Sequence, residues 1–482
     1  MFKHSALLRS VMNHAQQQPY KVAIILNGQQ ITYSQLWEYI LSAALYLKEL
    51  DVKPYDRIVL SADKSLEYIS VYLASHVVGC VNVLVDPKST AERLEYIVSR
   101  TQPTLCFGCN VGDYASHPYD DVDLRHTPFP IDAAPQLQET DIAEILFTTG
   151  TTAQPKGCCL SYANICASAS NINQYIQNTS EDVELLALPL CHSFGMGRLR
   201  CNLMLGATVV VLPSFADVRL FIKSFEVYPI TGFAVVPSAW AYIRRVSGKR
   251  IGRYADRIRY VEIGSSSMPL ETKEEMAQLF PHTRLCMHYG LTEASRSCFV
   301  ELHDVAHRTS VGRAVCDQVD IRICDAEGNC LPDGECGEIC VKGNMVMTQY
   351  LNADHTHQAF FGEYFRTGDL GYISQGYVYL VGREKEIINV GGKKVSPSEV
   401  EDAIIALGVG DCVCVAMPDP KGILGELVKC YVKRDSTALT FAEIAQKLNG
   451  QIESYKQPVA YEWIDQIPMT ESGKKQRIKL KG

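Results

Sequence analysis

Between the apolar run Ala143-Glu-Ile-Leu-Phe147 and Lys156-Gly157 lies Thr148-Thr-Gly-Thr-Thr-Ala-Gln-Pro155, which gathers four threonine hydroxyls (Thr148, Thr149, Thr151, Thr152), Gly150, Gly157 and Lys156 into one short segment. Hydroxyls and backbone N–H groups donate to phosphate oxygens, glycine lets the main chain approach closely, and the lysine adds a mobile positive charge. The segment is equipped to hold a polyphosphate, and ATP is the ligand it predicts. A Walker A loop needs Gly-Lys-Ser/Thr after four intervening residues, whereas here Pro155 precedes Lys156 and Gly157 follows it. A P-loop NTPase is therefore disfavoured. Taken alone, the segment would also suit a Thr/Gly-rich surface turn.

Three further segments carry chemistry. Tyr289-Gly-Leu-Thr-Glu293 follows a candidate strand, Thr283 to Met287. Its aromatic ring can lie against a purine, Thr292 can donate to phosphate, and Glu293 can hold a Mg²⁺ that bridges phosphates. Tyr364-Phe-Arg-Thr-Gly-Asp-Leu-Gly371 sets Asp369 after a glycine, where one carboxylate can accept from both ribose hydroxyls; the plain alternative is a Gly-Asp turn. Gly382-Arg-Glu-Lys-Glu-Ile-Ile-Asn-Val-Gly-Gly392 combines Arg383, a charged run and a Gly-Gly turn, and by itself reads as a solvated hairpin. The tail Pro468-Met-Thr-Glu-Ser-Gly-Lys-Lys-Gln-Arg477 is short, basic and glycine-hinged. Such tails are usually solvent-facing, yet a lysine on a mobile element can enter a site, neutralise developing charge and leave again.

Composition bounds the rest. The 482 residues, 47% hydrophobic, suffice for two to four domains with large cores. A formal charge of -8, from 46 Lys+Arg against 54 Asp+Glu, provides no basic field for nucleic acid or an anionic membrane. No apolar run approaches the ~18 residues of a membrane helix, and the N-terminus lacks a signal-like apolar stretch, so a cytoplasmic protein is expected. The 18 cysteines are scattered, as suits reduced thiols. Cys106-x-x-Cys109 is the metal-like pair, and no second pair at zinc-finger spacing follows it.

The elements that would position these groups alternate. Leu36, Ile40, Ala43 and Leu47 recur at helical spacing after Ser34, a candidate N-cap, and Arg57–Leu60 and Cys80–Val85 read as strands around another helix. The rhythm resumes with Leu185–Leu188, Ala207–Leu212, Gly232–Val236 and Arg259–Ile263, separated by helices such as Asp217 to Phe225. The expected fold is α/β, with two doubly wound βα sheets and ligands at the strand carboxyl ends. From about 310 to 383 short strands and tight turns predict a small β-barrel-like subdomain. After Arg383 an α+β segment follows, with capping boxes expected at Ser396-Pro-Ser-Glu399 and Thr440-Phe-Ala-Glu443. The division expected is an N-terminal domain over 1–383 and a mobile C-terminal domain over 384–482.

Together and in this order, the four segments resemble the adenylate-forming (ANL) superfamily of acyl-CoA synthetases, firefly-type luciferases and peptide-synthetase adenylation domains. Leu188-Pro-Leu-Cys-His-Ser-Phe-Gly-Met-Gly197, Gly337-Glu-Ile-Cys-Val-Lys-Gly343 and the stretch from Val409 to Asp419 also resemble family segments, so the likeness spans nearly the whole chain. The resemblance implies that Thr148, Thr149, Gly150, Thr151, Thr152 and Lys156 cover the β- and γ-phosphates, with Thr292 on the α-phosphate and Glu293 on Mg²⁺. It implies Tyr289, Gly290, Gly264, Ser265 and Ser266 beside adenine, and Asp369 with Arg383 on the ribose. Lys474 matches the lysine that bridges substrate carboxylate and α-phosphate, Lys385 the domain hinge, and Gly391-Gly392 a face turned to the thiol. His192 resembles the aromatic gate of acyl-CoA ligases; its plain alternative is a packed histidine.

By this resemblance a carboxylic acid is adenylated by ATP with loss of pyrophosphate and then passed to a thiol. CoA is the expected acceptor, with a separate acyl carrier protein as the alternative because no carrier domain follows Arg477. Where amino-acid-activating relatives place an aspartate, Cys191-His-Ser-Phe-Gly195 has none, which favours a plain acyl or aryl acid. Ala153, Thr149, Ser265-Ser266-Ser267, Tyr162 and Lys385 depart from commoner family residues without removing a required group. A nucleotide-binding protein that has lost catalysis would not need Lys474 and Glu293, and an ATPase or kinase would release ADP rather than AMP.

Overall fold

The structure is a computed structural model that describes residues 5–148, 155–469 and 475–480. Two large sheets carry most of the chain. One has nine strands, with Val22–Leu26, Thr208–Val211, Val183–Leu186, Gly232–Val235, Tyr260–Ile263 and Arg284–Tyr289 running parallel at its centre. The other has seven, in the order Gln349–Tyr350, Lys156–Ser161, Ile142–Thr148, Val81–Val85, Arg57–Ser61, Leu105–Phe107 and Ser116–His117. Its middle strands are buried on both faces, and Val81–Val85 reads as an unbroken apolar run apart from Asn82, as parallel strands covered by helices do. Helices Tyr33–Glu49, Leu66–Val78, Tyr162–Ile176 and Ser193–Leu205 contribute to one hydrophobic cluster that also takes in residues of both sheets.

The helix Ser193–Leu205 is the central member. Every residue from Phe194 to Leu203 is buried, including two arginines. Arg198 forms ion pairs with Glu184 and, at 3.1 Å, with Glu262 of the nine-stranded sheet, while Arg200 meets Glu144 of the seven-stranded sheet at 2.7 Å. Tyr72 donates to the other Glu144 oxygen at 3.2 Å and Tyr260 to Glu184 at 2.6 Å, so the charges are hydrogen-bonded as well as paired. Gly195 and Gly197 let this helix sit so deep. A Cβ at the first would meet the Pro189 carbonyl oxygen at 2.0 Å, and one at the second would meet the Arg296 guanidinium at 2.9 Å. A second tie is Lys64, which follows the strand Arg57–Ser61. Its ammonium donates to the carbonyls of Ala187, Leu212 and Pro213 at 2.7–3.0 Å, at the carboxyl edge of the nine-stranded sheet. Burial pushes its pKa down to about 7, with the Cys191 thiol pulling the other way.

Residues from Val319 to Arg383 build a five-stranded antiparallel sheet, and Gln349–Tyr350 leaves it to pair with Lys156–Ser161 in the seven-stranded sheet. Beyond it, a three-stranded sheet (Cys412–Pro418, Glu426–Lys433, Ala460–Ile464) packs with helices Pro397–Ala406 and Phe441–Leu448 around its own apolar cluster. The hairpin Ile388–Val390/Lys393–Val395 closes on Gly391 and Gly392, both in the left-handed region at φ 58° and 83°, as a two-residue turn matched to strand twist requires.

Two expected caps differ. The helix Tyr33–Glu49 is capped by Thr32, whose hydroxyl and the Gln35 amide form a reciprocal capping box that leaves Ser34 inside the helix. At Ser396 the hydroxyl bonds to Ser398 instead of the helix, and Glu399 is drawn away by Lys456 at 2.6 Å, so no box forms. The Thr440/Glu443 box is present, and Asp217 caps Val218–Val227. None of the eighteen cysteines forms a disulfide.

Removing one partner of a buried ion pair exposes the full desolvation cost of the other. Arg200→Met is expected to lower unfolding stability by about 3–5 kcal/mol, and adding Glu144→Gln to it to recover most of the loss, both read from urea denaturation.

Candidate active site

The strand Arg284–Tyr289 ends at the carboxyl edge of the nine-stranded sheet, and the turn that follows brings two clusters together. In the first, Tyr289 donates its hydroxyl to Asp369 Oδ2 at 2.8 Å, and Arg383 Nε meets Asp369 Oδ1 at 2.9 Å. Asp369 and Arg383 are directly opposed across antiparallel strands, which fixes their approach. Gly368, at φ 70°, turns the chain so that its N–H reaches Glu338 Oε1 at 3.0 Å. Burial and the neighbouring Asp369 charge push the Tyr289 phenol well above its ordinary range, so it remains a donor. Each Asp369 oxygen is steered by one protein donor and keeps a second lone pair, an arrangement able to accept two vicinal hydroxyls.

In the second cluster, Glu293 is buried and its Oε1 accepts from the Tyr350 hydroxyl at 2.8 Å and from Thr148 Oγ1 at 3.5 Å. Thr148 ends one strand and Lys156 begins the next, facing each other in the antiparallel ladder. The Lys156 ammonium lies 5.1 Å from the centroid of the Tyr350 ring. Its pKa is lowered, first by burial and then by the Lys385 cation, with Glu293 opposing. A hard carboxylate oxygen, a hydroxyl and a cation at one corner are a donor set suited to Mg²⁺ and polyphosphate. The clusters form one site, since Arg383 lies within electrostatic reach of both Glu293 and Tyr350.

The remaining expected residues border this site or lie outside the described ones. Gly264 follows the strand Tyr260–Ile263 and lies flat against His288, whose ring would meet a Cβ there at 2.1 Å. Ser265 is held at φ 80°, and Ser266 follows it. His288 Nδ1 is 2.7 Å from Glu262 Oε1, and burial lowers its pKa, so the ring is neutral near pH 7. Arg296 also reaches Glu262, at 3.1 Å, and donates to the carbonyls of Ser193 and Phe194 at 2.8 and 2.9 Å. Gly290 has no room for a side chain, because Arg296 N would be 2.4 Å from its Cβ. Thr292 sits in the same turn, half-buried. His192 occupies the N-cap position of the central helix. Lys385 is in the short turn Glu384–Glu386, within reach of Lys156, whereas Gly391 and Gly392 are at the hairpin tip of the C-terminal part, where Gly391 N donates to Leu424 O. Thr149, Gly150, Thr151, Thr152 and Lys474 lie outside the described residues. Lys475, next to the last of these, is paired with Glu401 at 3.1 Å and Asp411 at 3.2 Å.

Known proteins share this architecture. The family described as AMP-binding enzyme matches residues 11–351, and that described as AMP-binding enzyme C-terminal domain matches residues 399–474. The chain belongs to the AMP-binding enzymes, in the adenylate-forming superfamily. It is 28% identical over 484 residues to 4-coumarate–CoA ligase 1 of Petroselinum crispum, covering 93% of this chain and 88% of that one. It is 27% identical to 2-succinylbenzoate–CoA ligase of Bacillus mycoides, over 98% of this chain and 97% of that one. Among solved structures it is similar to ATP-bound MatB of Rhodopseudomonas palustris, with a TM-score of 0.90, 26% identity and coverage of 99% and 98%.

Tyr350, Glu262, Arg296 and His288 were not expected from sequence. Tyr350 reaches Glu293 only because Gln349–Tyr350 crosses into another sheet, and a charged residue inside an apolar strand, as in Tyr260-Val-Glu-Ile263, was the available signal for Glu262. Replacing Asp369 by Asn removes the charge from the steered acceptor. The expected outcome is an ATP affinity lower by about 1.5–3 kcal/mol, the range for hydrogen bonds to a charged group, with Tyr289→Phe costing less, both by calorimetric titration.

Proposed function

We propose that this protein is an AMP-forming acid–thiol ligase: it joins a carboxylic acid to AMP at the expense of ATP, releases pyrophosphate, and passes the acyl group to CoA. The observation that carries this reading is the convergence of Tyr289–Asp369–Arg383 with Glu293–Tyr350–Lys156 at the end of one strand. One cluster suits a ribose and the other a polyphosphate with its metal, and Arg383 lies within electrostatic reach of Glu293 and Tyr350 in the second. The relatives, as CoA ligases, support the acceptor.

The chemistry needs no protein nucleophile. An ionised carboxylate attacks the α-phosphorus, the bond to the bridging oxygen breaks, and pyrophosphate leaves; positioning and charge neutralisation supply the rate. Asp369 and Arg383 anchor the ribose, Gly264 to Ser266, Tyr289 and Gly290 border the base, and Thr148 to Thr152 with Lys156 hold the outgoing phosphates. Thr292 donates to the α-phosphate. Glu293 would hold Mg²⁺, which would supply neutralisation of phosphate charge. Lys474 bridges the acid and the α-phosphate in this half. In the second half a thiol, giving up its proton, attacks the acyl carbonyl and AMP leaves.

The division we propose falls at Arg383, with residues 1–383 forming the nucleotide and acid site and 384–482 turning about Lys385. That turn withdraws Lys474 and presents Gly391-Gly392. His192, at the head of the central helix, gates the acid, and the absence of an acidic partner in Cys191–Gly195 favours an acyl or aryl acid over an α-amino acid. No helix among the described residues is long and apolar enough to cross a membrane.

An acid panel with ATP and Mg²⁺ is expected to release pyrophosphate and AMP, with CoA and a carrier protein compared as acceptors; ADP as product would refute the assignment. Lys474→Ala is expected to lose adenylation about 10²–10³-fold, as removal of one charge-stabilising donor does, while retaining thioester formation from a supplied acyl adenylate. Equal losses in both halves would contradict the role given to Lys474.

A further inference from the structure

A second constellation of ligating groups joins His192 to Asp86 and Cys191, two residues given no role in the nucleotide or acid chemistry. The strand Val81–Val85 of the seven-stranded sheet ends at Asp86, and the segment after Val183–Leu186 of the nine-stranded sheet ends at Cys191 and His192, just before the central helix. One carboxylate oxygen, the thiol sulfur and one imidazole nitrogen from these residues lie within 4.8 Å of one another. We propose that Asp86, Cys191 and His192 bind a soft divalent cation of the zinc class, bridging the carboxyl edges of the two sheets.

Three features argue for it. A tetrahedral ion holding oxygen at about 2.0 Å and sulfur at about 2.3 Å sets those two ligands roughly 3.5 Å apart, and Cys191 Sγ is 3.6 Å from Asp86 Oδ2. The Asp86 carboxylate is held in a ligating orientation, because its Oδ1 accepts from the Lys88 N–H at 2.7 Å and Oδ2 is thereby turned toward the sulfur, the kind of support that metal-ligating carboxylates receive. The donor set of one thiolate, one imidazole and one carboxylate with a fourth position left to water selects zinc over Mg²⁺, which prefers an all-oxygen shell. Binding replaces the Cys191 S–H with a sulfur–metal bond and releases the proton to solvent. The site is thus separate in position and in ligand preference from Glu293.

Cobalt(II) titrated into the full-length protein tests this. The expected result is one equivalent bound with a thiolate-to-cobalt charge-transfer band, displaced by zinc and indifferent to excess Mg²⁺, with zinc raising the melting temperature. Cys191→Ser is expected to abolish the band, and Asp86→Asn to weaken binding at least tenfold and remove most of the thermal shift. Absence of the band in the unmodified protein would overturn the proposal. So would a band of equal strength in folded Cys191→Ser, which would assign it to other thiols such as Cys106 and Cys109. If Cys191→Ser does not fold, Asp86→Asn decides: unchanged cobalt affinity in that variant refutes the site.

Discussion

Two arginines on one buried helix hold this molecule's two sheets in a fixed relation. Arg198 is fixed by carboxylates of the nine-stranded sheet and Arg200 by a carboxylate of the seven-stranded sheet. Buried ion pairs contribute little net stability compared with apolar packing, but they penalise any arrangement that separates the partners. That penalty sets register. A helix of leucines could slide or rotate between the sheets at small cost, whereas a shift here would strand Glu144, Glu184 or Glu262 in apolar surroundings. The carboxyl edges of both sheets are thereby held together, and the Asp369 and Glu293 clusters, His192 and the Asp86–Cys191 pair all lie at those edges.

The same network reaches the site through Glu262. Its carboxylate is shared by Arg198, Arg296 and His288, and the two guanidiniums, with the His288 hydrogen bond, hold its pKa far below the ordinary range despite burial. Arg296 then donates to two carbonyls in the first turn of the central helix, and His288 fills the space beneath Gly264. With two arginines against Glu184 and Glu262 and a neutral His288, the group balances in charge.

What was legible in the sequence was local. The run Ala143–Phe147, which forms a strand, and the Thr440 cap depend on neighbours a few residues away, and each forms as its local chemistry demands. The expected α/β order, the β-rich stretch and the α+β tail followed from periodicity in the same way. Two caps differ because other partners compete: the Gln35 side chain accepts from the Thr32 N–H and closes a box there, and Lys456 takes Glu399 from Ser396. Tyr350 on Glu293, 57 residues away, and Arg200 on Glu144, 56 residues away, were illegible because nothing in a single sequence says which buried polar residue meets which.

Lys156 and Lys385 lie within electrostatic reach of each other, which gives a nucleotide bound as proposed a way to act on the C-terminal part. Lys156 stands at the start of a strand in the large domain and Lys385 in the turn Glu384–Glu386, and their mutual repulsion adds to burial in lowering the Lys156 pKa. Under the proposed turn about Lys385, this repulsion, opposed by Glu293, would favour orientations that carry Lys385 away. A bound polyphosphate reverses the sign, since an anion between two cations attracts both. Loss of pyrophosphate removes most of that negative charge and restores the repulsion. On the proposed division at Arg383, the departure of the leaving group would itself bias the turn about Lys385 toward one orientation before the first half-reaction and toward another after it.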